Sequence, residues 1–460
     1  MQIHQRSLPA YKEKVRMSSS RDIASAARDA SRTLSTLSAG QRIKSLEILN
    51  KLLIDERTEI LTENAKDLAA AQEAGQAASL ISRLDLSKPG KYDEMAKGVL
   101  DVSQLPDLVG RCTQKRKLDE GLVLRRVLCP IGVLLVIFEA RPEVIVNITA
   151  LALKSGNAAI LKGGKESTHS FRALSALVKR ALREAEIPDS SIELVESRAD
   201  VSGLLEQDEF IDLVIPRGSN ALVKNIKDNT KINVMGHADG ICHAYYDRDA
   251  DLKTAIPVIL DSKTNYPAAC NALESLLIHE SRVQDSLPPI VTALRAADVT
   301  CRVERALLPY LDPTDTGIAE AGEDDFDTEH LSLTLSIRSV PDPDAAISWI
   351  NLHGSHHTDT ILTADARTAT RFQRGVDSAS VFVNASTRFA DGMRYGFGTE
   401  VGIATGKIHA RGPVGLEGLV TYKWLLDGRG QCVASYGAGV GVNQRTYLHQ
   451  DLQVDRGDSY

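Results

Sequence analysis

A single thiol, a set of arginines and two glycine-rich turns are where this sequence holds chemistry. Cys270 lies in Asn265-Tyr-Pro267-Ala-Ala-Cys270-Asn271-Ala272. Pro267 keeps the residue before it extended, and the spacing predicts a helix opening at Asn271. A thiol at a helix N-terminus is favoured as thiolate, the form that attacks acyl carbons near neutral pH. The other reading of Cys270 is a small buried hydrophobe. No His stands beside it in the chain as an obvious base; His279 falls on the following strand. Residue types alone leave the two readings open.

Two turns have the form of phosphate cradles. Leu161-Lys162-Gly163-Gly164-Lys165-Glu166 follows an expected strand and opens an expected helix, and Pro216-Arg217-Gly218-Ser219-Asn220 repeats the arrangement. Such turns aim free N–H groups and a positive dipole end at an anion. With cations beside both, a dinucleotide fits. The strict G-x-G-x-x-G fingerprint and the Walker A pattern are absent, and Gly437-Ala-Gly439-Val-Gly441 reads as a turn-rich tail. Residues 384–413 are dense in Gly, hydroxyl and Arg side chains, including Asn384, Ser386, Thr387, Arg388, His409 and Arg411. Loops of that kind on an α/β scaffold line sites, and Arg suits carboxylates and phosphates. His353, His356 and His357 suggest a metal cluster at first sight. Gly354 interrupts the helix they would share and no carboxylate follows closely, so they read as a loop near a strand end and no metal is expected.

The elements that must position these groups change period along the chain. Residues 18–74 read as two helices broken at Ala39-Gly40, and a polar connector at 85–90 leads to another. Residues 122–128 are β-rich, and Ile131–Phe138 is an almost continuous apolar run, the mark of a strand buried on both faces. Strand and helix then alternate: helix 144–154, strand 158–161, helix 165–186, strand 192–195, helix 200–205, strand 211–215, helix 220–229. A second alternating block runs from about 242 to 384, with strands near 276–279, 331–337, 360–362 and 381–383. Alternation of this kind argues for parallel crossover units in doubly wound sheets.

Composition narrows the function classes. The 460 residues suggest roughly three domain-sized units. A net charge of −7 argues against a general nucleic-acid or anionic-membrane binder, and aromatics at 5% are too sparse for base-stacking platforms. No window approaches the ~20 apolar residues of a membrane span. Six scattered cysteines without a C-x-x-C pair speak against a zinc ribbon and suit a reducing, cytoplasmic compartment. Residues 1–16 lack an apolar h-region and are expected to be a disordered leader.

Seven blocks then occur in order: Glu139-Ala-Arg141-Pro142, Leu161–Glu166, Ile215-Pro-Arg217-Gly218-Ser219, Gly236-His237-Ala-Asp239-Gly240-Ile-Cys-His243, Pro267-Ala-Ala-Cys270-Asn271, Val383-Asn384-Ala-Ser386-Thr387-Arg388-Phe389 and Ile408-His409-Ala-Arg411-Gly412-Pro413-Val-Gly415. Together, over about residues 18–427, they resemble the γ-glutamyl phosphate reductases of the aldehyde dehydrogenase superfamily. The resemblance implies an α/β, aldehyde dehydrogenase-like fold of two doubly wound domains plus a small β oligomerisation hairpin. The NADP-binding domain would combine 17–111 with 131–241, and the hairpin would span 112–130 with part of 428–460. The catalytic domain would span 242–411, with a C-terminal helix over 412–427 returning to the core. The implied activity is NADPH-dependent reduction of L-glutamate 5-phosphate to the 5-semialdehyde in proline biosynthesis.

Cys270 falls at the family's nucleophile, which would form a thioester as phosphate leaves. The resemblance assigns Lys162, Gly163, Gly164, Arg217, Gly218 and Ser219 to the NADP(H) site. It places Glu329, in Thr328-Glu329-His330, at the nicotinamide ribose, and Lys165 is expected at the 2′-phosphate. Arg141, Asn271, Ser386, Thr387, Arg388 and Arg411 are the expected substrate contacts. Hydrolytic relatives carry a general-base Glu where this chain has His237-Ala238-Asp239, a departure that fits an enzyme exchanging its thioester with phosphate instead of water. A homo-oligomer, dimer or tetramer, is expected, and a transient contact with glutamate 5-kinase is chemically attractive. The competing readings are a hydrolytic or coenzyme A-acylating dehydrogenase and a non-catalytic scaffold that retains the fold.

Overall fold

The structure, a computed structural model, describes residues 19–139, 141–195, 198–218, 220–436 and 445–459. The expected leader, Ala140, Ser219 and the glycines at 437–441 lie outside them. The described chain opens with five helices, α1 (Ser20–Leu34), α2 (Ala39–Asp55), α3 (Arg57–Glu73), α4 (Ala78–Leu84) and α5 (Lys91–Gln104). Where two helices are expected over 18–74 there are three, because the chain turns at Glu56 between α2 and α3. Ser19 and Ser38 start α1 and α2 with reciprocal capping boxes to Asp22 and Gln41. The stripe Ala24, Ala27, Leu34 on α1 and Leu46, Leu49, Leu53 on α2 is fully buried, which is what the apolar spacing required.

Strands β1 (Cys112–Asp119) and β2 (Leu122–Pro130) form an antiparallel hairpin. The chain then winds the first parallel sheet through β3 (Val133–Phe138), α6 (Glu143–Lys154), β4 (Ala158–Lys162), α7 (Thr168–Glu184), β5 (Ile192–Val195), α8 (Arg198–Leu205), β6 (Leu213–Arg217), α9 (Asn220–Asp228) and β7 (Asn233–Val234). Its order is β5-β4-β3-β6-β7. The order reverses beside β3, so the loops leaving β3, β4 and β6 converge there, the crevice where α/β sheets take ligands. Every residue of β3 is buried, as its unbroken apolar run demands. A Cβ on Gly163, just past β4, would lie 1.6 Å from the Phe171 ring of α7, so only glycine lets helix and strand pack this closely there.

The second sheet takes β8 (Cys242–Tyr246), α10 (Leu252–Thr264), β9 (Leu273–His279), α11 (Val283–Ala296), β10 (Thr300–Val303), β11 (Ile318–Glu320), β12 (Thr334–Val340), α12 (Pro343–His353), β13 (Thr358–Leu362), α13 (Ala366–Gly375) and β14 (Ser380–Val383). The order β11-β10-β12-β9-β8-β13-β14 is parallel throughout. After a short pair, β15 (Gly402–Ala404) and β16 (Gly412–Val414), comes β17 (Val420–Asp427), and β18 (Gln450–Leu452) follows near the end. These last two flank the hairpin in the order β17-β2-β1-β18.

Residues 412–427 correct the expectation of a helix: apart from one short turn at 416–419 they are strands. Val420, Tyr422, Trp424 and Leu426 alternate with Thr421, Lys423 and Leu425, a period of two that suits a strand and leaves a helix with no single apolar face. Among the described residues no helix is long and apolar enough to cross a membrane.

Candidate active site

Parallel strands all begin at one edge of their sheet, and that edge of the second sheet gathers the chemistry. Neighbours β9, β8 and β13 are preceded by Cys270, by the 236–241 segment and by His357. The loop carrying Cys270 runs straight into β9 through a turn. The expected helix at Asn271 is therefore absent, because Ala272 leads directly into a segment that the strand buries along its length up to Ile278. No helix dipole acts on the thiol, and its setting is made by packed loops instead.

The Cys270 loop is locked to the 386–390 loop, and that loop to α10. Asn271 Nδ2 donates to Ala390 O (2.9 Å), Thr387 Oγ1 donates to Asn271 O (2.7 Å), and Ser262 Oγ bridges to Ser386 Oγ (3.2 Å) while accepting from Thr387 N–H. A Cβ added to Gly240 would sit 2.1 Å from Cys270 O and 2.6 Å from its Cα. Backbone presses on backbone there, and neither can yield. Gly240→Ala is accordingly expected to displace the thiol and lower kcat about a hundredfold, checked by steady-state rates on variant protein whose thermal midpoint has been recorded.

The six cysteines are all unpaired, and burial separates them. It pushes Cys242 well above the ordinary thiol range and Cys301 up to about 12, and it raises Cys129. Cys242 donates to Cys270 O at 3.4 Å, a structural thiol under the loop. Cys270 is half-buried.

Sequence reasoning found no base near Cys270, and the fold supplies two histidines. One ring nitrogen each of His237 and His357 and the Cys270 sulfur all lie within 4.8 Å of one another, and the rings meet edge to face at 5.0 Å. His237 Nδ1 is 3.0 Å from Ile403 O. A carbonyl only accepts, so Nδ1 carries the proton and Nε2 keeps a lone pair in the neutral ring. Burial lowers the His237 pKa below 6.5, opposed by that hydrogen bond and by Glu329. His357 Nδ1 faces Thr358 Oγ1 at 2.8 Å, and its buried Nε2 has no partner. The other two histidines of the 353–357 run point elsewhere: His353 to Asp327 (2.8 Å) and His356 to Asp377 O (2.8 Å). His356 and His357 lie in the loop just before β13, and only sheet order reveals that His357 comes near Cys270.

Arg388 is buried, and its Nε has no hydrogen-bond partner. Burial lowers its pKa, then Arg394, while the charge of Cys270 pulls the other way. Arg217 behaves alike: burial and Arg141 lower it, and Glu400 and Cys270 oppose them. Two guanidinium groups thus share the field of the thiol. Arg141 has no ion-pair partner among the described residues and sits in the loop leaving β3, close enough for its charge to depress Arg217. Arg411 is held within the protein: Nε donates to Thr405 O, Nη1 to Asp377 Oδ1 and Nη2 to Asp377 O, all at 2.9–3.0 Å. Three of its five N–H donors are taken by this clamp between loops. Ser386 and Thr387 likewise spend their hydroxyls on the loops described above.

At the cofactor crevice, Lys162 is buried at the end of β4 with Nζ donating to Gly163 O. Gly164 leads into the turn that opens α7, and Lys165 is exposed on that turn. Gly218 follows Arg217 at the start of α9, and Ser219 lies outside the described residues. Glu329 is half-buried at the thiol edge. Burial raises its pKa, and a hydrogen bond from Gly240 N–H and the His237 charge oppose the rise. The donor chemistry fits a dinucleotide: glycine turns and cations at two helix starts, and a carboxylate for a ribose hydroxyl beside the thiol.

The family model described as "Aldehyde dehydrogenase family" matches residues 12–307. A probable gamma-glutamyl phosphate reductase of Schizosaccharomyces pombe is 51% identical over 93% of this chain and 96% of its own length. The gamma-glutamyl phosphate reductase of Saccharomyces cerevisiae is 49% identical over 95% and 99%. The crystal structure of that enzyme from Thermotoga maritima superposes with a TM-score of 0.86 at 39% identity, covering 90% of this chain and 100% of that one. An engineered glycolyl-CoA reductase with bound NADP+ (TM-score 0.62, 15% identity, 88% and 96% covered) shares the fold. The chain belongs to the aldehyde dehydrogenase family, within its gamma-glutamyl phosphate reductases.

Proposed function

We propose that this chain reduces the acyl phosphate of L-glutamate 5-phosphate to L-glutamate 5-semialdehyde with NADPH, releasing inorganic phosphate, as a step of proline biosynthesis. The observation that carries the reading is the half-buried Cys270 in the field of Arg388 and Arg217, with an unpartnered Arg388 Nε. An anionic acyl donor beside a nucleophile needs that combination, and the names of the relatives supply the substrate.

His237 Nε2 takes the thiol proton, and the thiolate attacks the acyl carbon. The C–O bond to phosphate breaks, and the leaving group departs with its electron pair toward the guanidinium groups. NADPH, when bound, supplies hydride. The resulting thiohemiacetal on Cys270 collapses as its C–S bond breaks, releasing aldehyde and regenerating thiolate. Asp239, which stands where hydrolytic relatives carry their general base, accepts from Asn220 Nδ2, and phosphate is the acyl partner in this reading. Arg141 and Arg388 hold the substrate's anionic groups, with Asn271 beside the thiol. Lys162, Gly163, Gly164, Gly218, Ser219 and Glu329 hold NADP(H), and the exposed Lys165 meets the 2′-phosphate. Arg411 is a positioning residue. Exposed Tyr422, Trp424 and Leu426 on β17 support a homo-oligomer built through the hairpin sheet. The protein acts in the cytoplasm.

The test is NADPH oxidation by the full chain with freshly generated L-glutamate 5-phosphate, against NADH. Substrate-dependent oxidation with NADPH preferred supports the reading, and its absence with correctly folded protein sinks it.

The acid limb of that activity gives a second check. Burial lowers the His237 pKa, so the acid limb of kcat/KM should lie at lower pH than a free imidazole would give. In His237→Gln that limb disappears and the rate drops about a hundredfold or more. The unfolded chain protonates His237 first as pH falls, so folding stability is lost between 6.5 and the lower folded value. Urea unfolding of the variant should lack that part of the slope.

A further inference from the structure

The cluster of His237, Cys270 and His357 has a property that reduction of an acyl phosphate does not need. We infer that these three side chains form a site for a borderline-soft divalent cation of the Zn2+ class, and that its occupation silences the thiol. Imidazole and thiolate are the donors such ions prefer. At Zn–N and Zn–S lengths near 2.0–2.3 Å, tetrahedral ligands stand about 3.5 Å apart. A set already within 4.8 Å closes to that with side-chain movements of about an ångström.

Two further observations point to a ligand. The buried Nε2 of His357, a residue 1% exposed, has no hydrogen-bond partner. Both rings also engage Nδ1 elsewhere, His237 with Ile403 O and His357 with Thr358 Oγ1. That is how metal-binding imidazoles are held, with the far nitrogen oriented by a second partner and Nε2 offered to the ion. No other three His, Cys, Asp or Glu side chains among the described residues converge this way.

Binding exchanges one bond for another without redox change: the S–H proton passes to solvent and an S–Zn bond forms. Three protein ligands leave the fourth position to water. A sulfur so held cannot attack an acyl carbon. The silencing rests on Cys270 being the nucleophile, as proposed above, whereas the binding site stands on geometry alone.

The experiment titrates the full chain with Zn2+ against a chromophoric chelator, and separately with Co2+ to read a thiolate-to-metal absorption band. Wild type, Cys270→Ser, His357→Gln and Cys432→Ser are compared; Cys432 is the exposed thiol that would bind adventitiously. One ion per chain is expected, with the Co2+ band lost in Cys270→Ser and affinity reduced about tenfold or more in His357→Gln. Cys432→Ser should match wild type. Zn2+ should also protect Cys270 of the wild-type chain from alkylation, read by peptide mass, so the idea is tested even where a variant folds poorly. Absence of stoichiometric uptake, or uptake and band unchanged in Cys270→Ser, overturns the site. Uptake with the expected dependence but undiminished reductase activity keeps the site and overturns Cys270 as the nucleophile.

Discussion

Cys270→Ser is expected to fold, to bind NADPH as wild type does, and to turn over at least about a thousandfold more slowly. A serine hydroxyl does not ionise near pH 7, so the variant keeps the shape of the site and loses the anion that forms the thioester. The two other thiols of the second sheet cannot substitute. Cys242 is held protonated by burial beneath the loop, and Cys301, pushed up to about 12, lies within the second sheet. Parallel measurement of kcat and of NADPH affinity separates loss of chemistry from loss of binding. A Cys270→Ser protein within tenfold of wild type would remove the thioester from the account.

The second large effect concerns the support under that thiol. Lys263, in the last turn of α10, and Glu274, on β9, bracket the Cys270 loop and pair at 2.7 Å, with exposures of 0% and 1%. Burial lowers Lys263 and pushes Glu274 up to about 7, and each partner's charge holds the other back. Such a pair contributes little net stability, but removing one member strands a buried charge. Lys263→Met is therefore expected to cost about 3–5 kcal/mol of folding stability. The double variant Lys263→Met/Glu274→Leu should recover most of it, because no charge is then left unpaired. Urea unfolding of the three proteins decides this. A single variant as stable as wild type would mean that the pair is already neutral in the folded chain.

Much of this was legible in the sequence because its signals are local. The apolar run at 131–138 and the strand–helix alternation after it placed both doubly wound sheets. The turns at 162–165 and 217–218 were legible as strand-to-helix turns, and they leave β4 and β6 on either side of β3. His357 was not legible. It follows Gly354 in a histidine-rich loop, and only the adjacency of β13, β8 and β9 carries it to a cysteine 87 positions earlier in the chain. The helix expected at Asn271 failed for a related reason: Ala272 to Ile278 is a short segment, apolar apart from Glu274 and Ser275, that fits helix or strand equally until a parallel sheet claims it. Residues 420–427 are different, since their alternation of Val, Tyr, Trp and Leu was readable as a strand. That Arg411 also clamps Asp377 and Thr405 is something no spacing rule reveals.

The most direct measurement follows the reverse reaction, NADPH formation from NADP+ and glutamate semialdehyde, with and without inorganic phosphate. Release of the acyl group from Cys270 to phosphate requires that NADPH form at a sustained rate only when phosphate is present. Sustained turnover without phosphate would show that water resolves the thioester and that the site holds a base for it, contradicting an acyl-phosphate reductase.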